Sequence, residues 1–308
     1  MHEHRRLPTI LRAAHGDPAR TRALQRHHAA GRLVRLLPGV FVAIEDWEHL
    51  SPAGRHLARA RAAAPTLRPG SVFSHVTAAL IHGWPWIGRV DERVHVLDPA
   101  APVIQHRVGV IRHPGTPRHD PSDAAFDGVP VTSLLETAVT LMTTAEHHVA
   151  VAAVDAAVRS DDLRTERLRA AVPLRPARGS ARAAAVLQAL DPLHESVGES
   201  FASARFVELG LPAWTSQAQF RHRDGSVDRV DFWFPSLGVV VEFDGRQKYV
   251  DPSMLQGRDP ADVLWAEKRR EDRIRALPAV RSVIRVTWWH LVEPDRLRAL
   301  FRAHGVLV

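Results

Sequence analysis

The stretch DRVDFWFPSLGVVVEFDGRQKY, residues 228–249, restricts the fold more than any other part of the chain. Two apolar runs flank Pro235, Ser236, Leu237 and Gly238, a composition that turns the chain back on itself and predicts an antiparallel hairpin. With that turn, Asp231 opposes Glu242, Arg229 opposes Asp244, Phe232 opposes Val241 and Phe234 opposes Val239. Side chains alternate between the faces of a strand. One face therefore collects Val230, Phe232, Phe234, Val239, Val241 and Phe243, a core face. The other collects Arg229, Asp231, Trp233, Val240, Glu242 and Asp244.

Directly opposed carboxylates repel, so setting Asp231 against Glu242 calls for a cation. One answer is a divalent metal with oxygen ligands, since Mg²⁺ (or Mn²⁺) is held by one or two carboxylates with water and substrate phosphate. The other is pairing with Arg229 and further arginines on a solvated face. A third carboxylate, Glu199, lies in HESVGESFASARFVELGLP, a helix that starts near Ser196 and stops at Gly210. Its position three residues after Ser196 is capping-box spacing, and capping alone accounts for it as well as a place at the site does.

A helix bearing Glu199, a strand with Asp231, then Glu242-Phe243-Asp244 on an apolar strand and a further helix is similar to the PD-(D/E)XK nuclease fold. More narrowly, VVVEFDGRQKY resembles an uncharacterised branch related to very-short-patch-repair endonucleases. The resemblance covers residues 193–308. It implies Asp231 and Glu242 as metal ligands aided by the Phe243 carbonyl, Glu199 as an outer acid, and a Mg²⁺-dependent deoxyribonuclease in which the metal acidifies a bound water. Asp244 stands where the named motif has lysine. Lys248 then reaches back to the site, with Lys268 as a second candidate and Arg270, on the apolar stripe of its helix, as a partner for a site carboxylate. Glu199, Asp231, Glu242, Asp244 and Lys248 are the catalytic candidates.

Charge points to the opposite end of the chain. Residues 1–44 carry eight arginines against two acidic residues, a net +6, whereas 45–192 balance at 16 and 16 and 193–308 at 17 and 16. A polyanion is expected to meet the N-terminal part. There, Asp17 is a good N-cap, Pro18 suits the first helical position and Gly31 a C′ stop, which predicts a helix over 18–30. The runs 33–37 and 40–43 flank a Pro38-Gly39 turn, so helix and hairpin read as the end of a winged helix-turn-helix. Ala19, Ala23 and Ala30 form a small-residue stripe suited to packing on a preceding helix. Arg20, Arg22 and Arg26, with Arg32 just beyond, are the DNA-binding candidates.

GRLVRLLPGVFV and the later SHVTAALIHGWP resemble the AbiEi-type antitoxin family, which implies a DNA-binding half and a toxin partner. The middle region reads as a helix over 76–82, strands in RVHVLDP and VGVIRHPG, then helices from Ser133 onward, with PLRPARGS as the best internal linker. His75 and His82 lack metal-ligand spacing and read as packing or polar groups. In VIRVTWWHL, a strand leads into a helix and Trp288 and Trp289 read as core.

These readings give a mixed α+β chain in three parts: a winged helix-turn-helix over 1–48, an AbiEi-like middle region over 49–192, and a restriction-endonuclease-like sheet flanked by helices over 193–308. The expected partners are DNA and a toxin or a second copy, without a membrane. The absence of cysteine removes disulfide and thiolate chemistry and makes the cytoplasm the default location. A non-catalytic DNA-binding regulator built on a degenerate nuclease fold is the alternative to the enzyme.

Overall fold

The computed structural model describes residues 7–14, 16–116, 124–172, 179–222, 224–245 and 260–306. The chain is α+β overall and divides into two compact units, 1–183 and 184–308. The expected linker, PLRPARGS, lies largely outside the described residues.

The first unit begins with β1 (Leu11–Arg12), α1 (Pro18–Ala29), β2 (Leu33–Leu37) and β3 (Val40–Ala43), which form a three-stranded sheet in the order β1-β3-β2. The Asp17 carboxylate accepts from the Arg20 backbone N–H at 2.9 Å, as its N-cap chemistry requires. Gly39 turns the hairpin at φ +71°, a conformation that favours glycine. The alanine stripe does not pack. Ala19 and Ala30 are exposed, Leu24 is the buried residue of α1, and no second helix precedes α1 among the described residues. A stripe of alanines holds too little apolar surface to anchor a helix.

Next come α2 (Ile44–Glu48), α3 (Pro52–Ala63), β4 (Val72–Phe73), α4 (His75–Ile81), β5 (Val94–Asp98), β6 (Gln105–Arg107) and β7 (Val110–Pro114). A short pair, β8 (Ala125–Phe126) and β9 (Val129–Pro130), leads to the helices α5 (Leu134–Thr144), α6 (His147–Arg159) and α7 (Thr165–Ala171). The strands β4-β5-β7-β6 form one sheet in which β5 and β7 run parallel. Leu37 and Val40 of the hairpin share a buried cluster with Leu57 and Ala60 of α3 and with Val94, Val96 and Val110 of this sheet. α8 (Ser180–Ala189) spans the division between the units.

The second unit holds α9 (Val197–Glu208), β10 (Thr215–Arg221), β11 (Val227–Phe234), β12 (Val239–Phe243), α10 (Pro260–Arg275), β13 (Ser282–Val286), α11 (Trp288–Leu291) and α12 (Pro294–Ala303). Its sheet runs β10-β11-β12-β13, with β12 and β13 parallel. The β11–β12 hairpin has the expected register, with Phe232 opposite Val241 and Phe234 opposite Val239. Phe232 and Phe234 pack edge-on against Phe206 of α9, and Phe234 also meets Phe301 of α12.

Val230 does not share that face. It clusters with Val240, Val283 and Ile274 of α10, so β11 changes the face it presents between Val230 and Phe232. Two irregularities coincide there. Gln217, in the paired strand β10, adopts φ +51°, and the named β11–β12 pairs stop at Phe232. The expected polar face is therefore covered too: Trp233 and Val240 lie against the α10 cluster.

Candidate functional site

Glu199, Asp231 and Glu242 each meet protein partners. Glu242 receives both Nη atoms of Arg270, at 3.1 and 3.2 Å, and Arg270 Nη1 also donates to the Arg229 carbonyl at 2.7 Å. Burial alone would lower the Arg270 pKa, but hydrogen bonding to Glu242 and the fields of Glu242, Glu267 and Asp231 hold it above its ordinary value. A two-pronged guanidinium–carboxylate contact is among the stronger side-chain pairings. It supplies the positive charge that the Asp231 and Glu242 pair calls for.

Asp231 turns to the backbone, where its Oδ2 accepts from the Phe243 N–H at 2.8 Å. The carboxylate takes over a donor at the point where the ladder stops. Glu199 is buried at 5% exposure and its oxygens accept from Ser196 Oγ at 2.7 Å, the Glu195 N–H at 2.9 Å and Gln217 Nε2 at 2.8 Å. The Glu199 N–H donates back to Ser196 Oγ at 3.2 Å, so Ser196 caps the helix while the carboxylate reaches the N–H one residue earlier than a capping box requires. The left-handed backbone of Gln217 aims its amide at Glu199, a contact with no signal in the sequence.

Arg229 pairs with Glu195 at 2.8 Å and not with Asp244, because the ladder beyond Phe232 is broken. The Asp244 N–H donates to the Val286 carbonyl at 2.7 Å. Lys248 lies outside the described residues. Lys268 is exposed, its ammonium 5.5 Å from the Trp265 ring centre. Glu199, Asp231 and Glu242 are thus hydrogen-bonded or ion-paired to protein groups. Two more clasps seat α10: Arg273 grips Asp228 at 2.6 and 2.9 Å, and Arg285 of β13 meets Glu271 at 2.7 Å.

The tryptophans depart from expectation. Trp289 is 60% exposed, under the Arg296 guanidinium at 4.4 Å, and Trp288 is exposed on one side while it edges onto Phe243 at 5.5 Å. The short helix α11 leaves room to bury Leu291 alone.

At the other end of the chain, Arg20, Arg22, Arg26 and Arg32 are all exposed, and none forms an ion pair among the described residues. Arg32 Nε donates to His27 Nδ1 at 3.0 Å, and His28 Nδ1 lies 2.9 Å from the Leu33 carbonyl, tying the end of α1 to the hairpin. Arg22 and Arg26, four residues apart, share the side of α1 opposite the buried Leu24, while Arg20 projects from another side and Arg32 follows the helix.

A third constellation had no motif. His75, His95 and His113 come from α4, β5 and β7, and one ring nitrogen of each lies within 4.8 Å of the others. The parallel register sets Leu97 beside His113 and His95 beside Ile111. The two histidines are thus staggered on one face. The reading of His75 as a packing or polar group misses this convergence. His82 does fill a polar role, with Nε2 2.8 Å from the Thr132 carbonyl. Burial, followed by the neighbouring His95 and His106, lowers the His113 pKa to about 4.

No helix among the described residues is long and apolar enough to cross a membrane. No curated protein matches the chain. Among solved structures, the chain is similar to the RV2827C protein from Mycobacterium tuberculosis at 19% identity, over 66% of this chain and 77% of that one, with a TM-score of 0.35. Residues 72–189, which hold β4 to α8 and the three histidines, match the AbiEi antitoxin C-terminal domain.

Proposed function

We propose that the protein is a non-catalytic DNA-binding regulator of the antitoxin type, with α1 and its hairpin as the DNA-facing element and the 72–189 region as the part that meets a toxin. The observation that carries this reading is the exposed i,i+4 pair Arg22 and Arg26 on the side of α1 away from the buried Leu24, with Arg20 and Arg32 exposed beside them. Four exposed guanidiniums on one helix and its exit suit a run of phosphates, which fix position on a duplex without reading sequence. The match of 72–189 to an antitoxin domain supports the regulatory half. The Glu242–Arg270 pair favours a nuclease-like sheet retained as a scaffold, because a carboxylate held by a guanidinium is a poor ligand for a catalytic metal.

The reading is tested by fluorescence anisotropy of a labelled duplex titrated with the full chain at several salt concentrations, beside a plasmid incubated with the same protein and Mg²⁺. Salt-sensitive binding without cleavage is the expected result. Mg²⁺-dependent cutting abolished by Glu242→Gln would instead establish the enzyme.

A further inference from the structure

We propose that His75, His95 and His113 form a binding site for a divalent transition metal of the zinc class, with an open coordination position facing the adjoining cavity.

The three side chains reach one point from separate elements. His95 and His113 stand on neighbouring parallel strands with His95 Nδ1 3.0 Å from His113 Nε2. The His75 ring stacks on His113 with centres 3.7 Å apart. Zinc–imidazole bonds of about 2.0–2.1 Å in a tetrahedral site separate ligand nitrogens by about 3.3 Å. The His95–His113 pair is already near that spacing, and His75, whose nitrogen lies within 4.8 Å of theirs, joins when its ring turns out of the stack on His113 so that a lone pair points at the ion.

Two further features fit a metal better than a chance meeting of imidazoles. Asp91 Oδ2 lies 3.4 Å from His95 Nε2, so His95 presents one nitrogen to the trio and the other to a carboxylate, an arrangement that orients metal-bound histidines and raises their basicity. His75 is held at φ +52° by the first turn of α4, with Ser74 Oγ 3.0 Å from its Nδ1. Histidine tolerates this region better than most residues, yet such backbones concentrate at functional sites.

All three histidines line a cavity of about 470 Å³, whose other walls include Trp86, Ile104, Leu141 and Val149. Three protein ligands with room for a fourth is the arrangement of metal sites that accept an outside group. An all-imidazole set selects zinc, nickel, cobalt or copper over Mg²⁺ or Ca²⁺. The site is therefore chemically distinct from the one expected at Asp231 and Glu242.

Cobalt is the probe. The full chain, stripped with chelator, is titrated with Co²⁺ while visible absorption is followed, and Zn²⁺ is then added in competition. One equivalent of Co²⁺ with the intense bands of a low-coordinate nitrogen site, displaced by Zn²⁺, is expected, together with a higher melting temperature. His113→Ala or His95→Ala weakens binding by at least about 100-fold, and Asp91→Asn by about 10-fold. Circular dichroism and melting of each metal-free variant, His75→Ala included because its left-handed backbone strains alanine, guard against a variant that simply fails to fold. His82→Ala, outside the trio, leaves affinity unchanged. No uptake of Co²⁺ or Zn²⁺ by the folded chain at tens of micromolar, or uptake that survives both His75→Ala and His113→Ala, overturns the proposal. Neither result depends on DNA binding.

Discussion

His56 Nε2 lies 2.8 Å from Thr77 Oγ1, and this contact forms the middle of a buried relay. His56 Nδ1 is 2.7 Å from the Asp91 carbonyl and must carry the proton, so Nε2 accepts from the Thr77 hydroxyl, whose oxygen accepts from the His95 N–H at 2.8 Å. The relay joins α3, α4 and β5 and fixes the backbone from which His95 projects.

That arrangement requires a neutral imidazole. Burial is the main reason the His56 pKa falls from 6.5 to about 4. The unfolded chain takes up the proton more readily, so the stabilisation is full above pH 6.5 and is lost as pH falls towards 4. The loss amounts to about 3 kcal/mol. Thermal melts of the full chain between pH 7.5 and 4 should show the decline, and His56→Gln should start lower at neutral pH and fall less steeply.

The Arg270–Glu242 pair is half-buried, at 29% and 18% side-chain exposure. Its rupture should cost about 2 kcal/mol, between the values of surface and fully buried pairs. Urea unfolding should show Arg270→Gln destabilised by that amount, and the double variant Arg270→Gln/Glu242→Gln less destabilised than the sum of the singles. Strict additivity would mean that the two side chains do not interact.

A Cβ on Gly198 would lie 2.0–2.6 Å from atoms of the Phe243 ring. Alanine is the better helix former, but the clash dominates. Gly198→Ala should destabilise by about 1–3 kcal/mol. The smaller Phe243→Leu side chain should relieve part of that penalty in the double variant, visible as a melting temperature above that of Gly198→Ala alone.

Replacing Arg22 and Arg26 with alanine should weaken duplex binding at low salt and flatten its salt dependence. Each lost phosphate contact lowers the slope of log affinity against log salt by about 0.9. An unchanged slope would move the DNA-facing surface elsewhere.

Local chemistry made part of this architecture legible. Asp17 and Pro18 marked the start of α1, Pro38 and Gly39 its hairpin, and the turn after Phe234 the register of β11 on β12. Partners distant in sequence were harder. Arg270 could be placed on the apolar stripe of α10, but not on Glu242 in preference to another acid. His75, His95 and His113 meet only through the register of β5 on β7, and no short spacing encodes that. The change of face at Val230 coincides with the left-handed φ of Gln217 in a different strand, which no periodicity within β11 could foretell.

The parallel pairing of β12 with β13 has a consequence for synthesis. Val239, Val240 and Val241 are almost completely buried, yet the strand that covers their outer edge follows α10 in the chain. While a ribosome makes the intervening segment, the nascent hairpin presents a bare apolar edge. Such edges recruit other strands, and closing a long crossover is slow compared with forming a hairpin. The second unit is therefore most prone to aggregate during the interval before its last strand emerges, and a pause in translation there would lengthen the exposure.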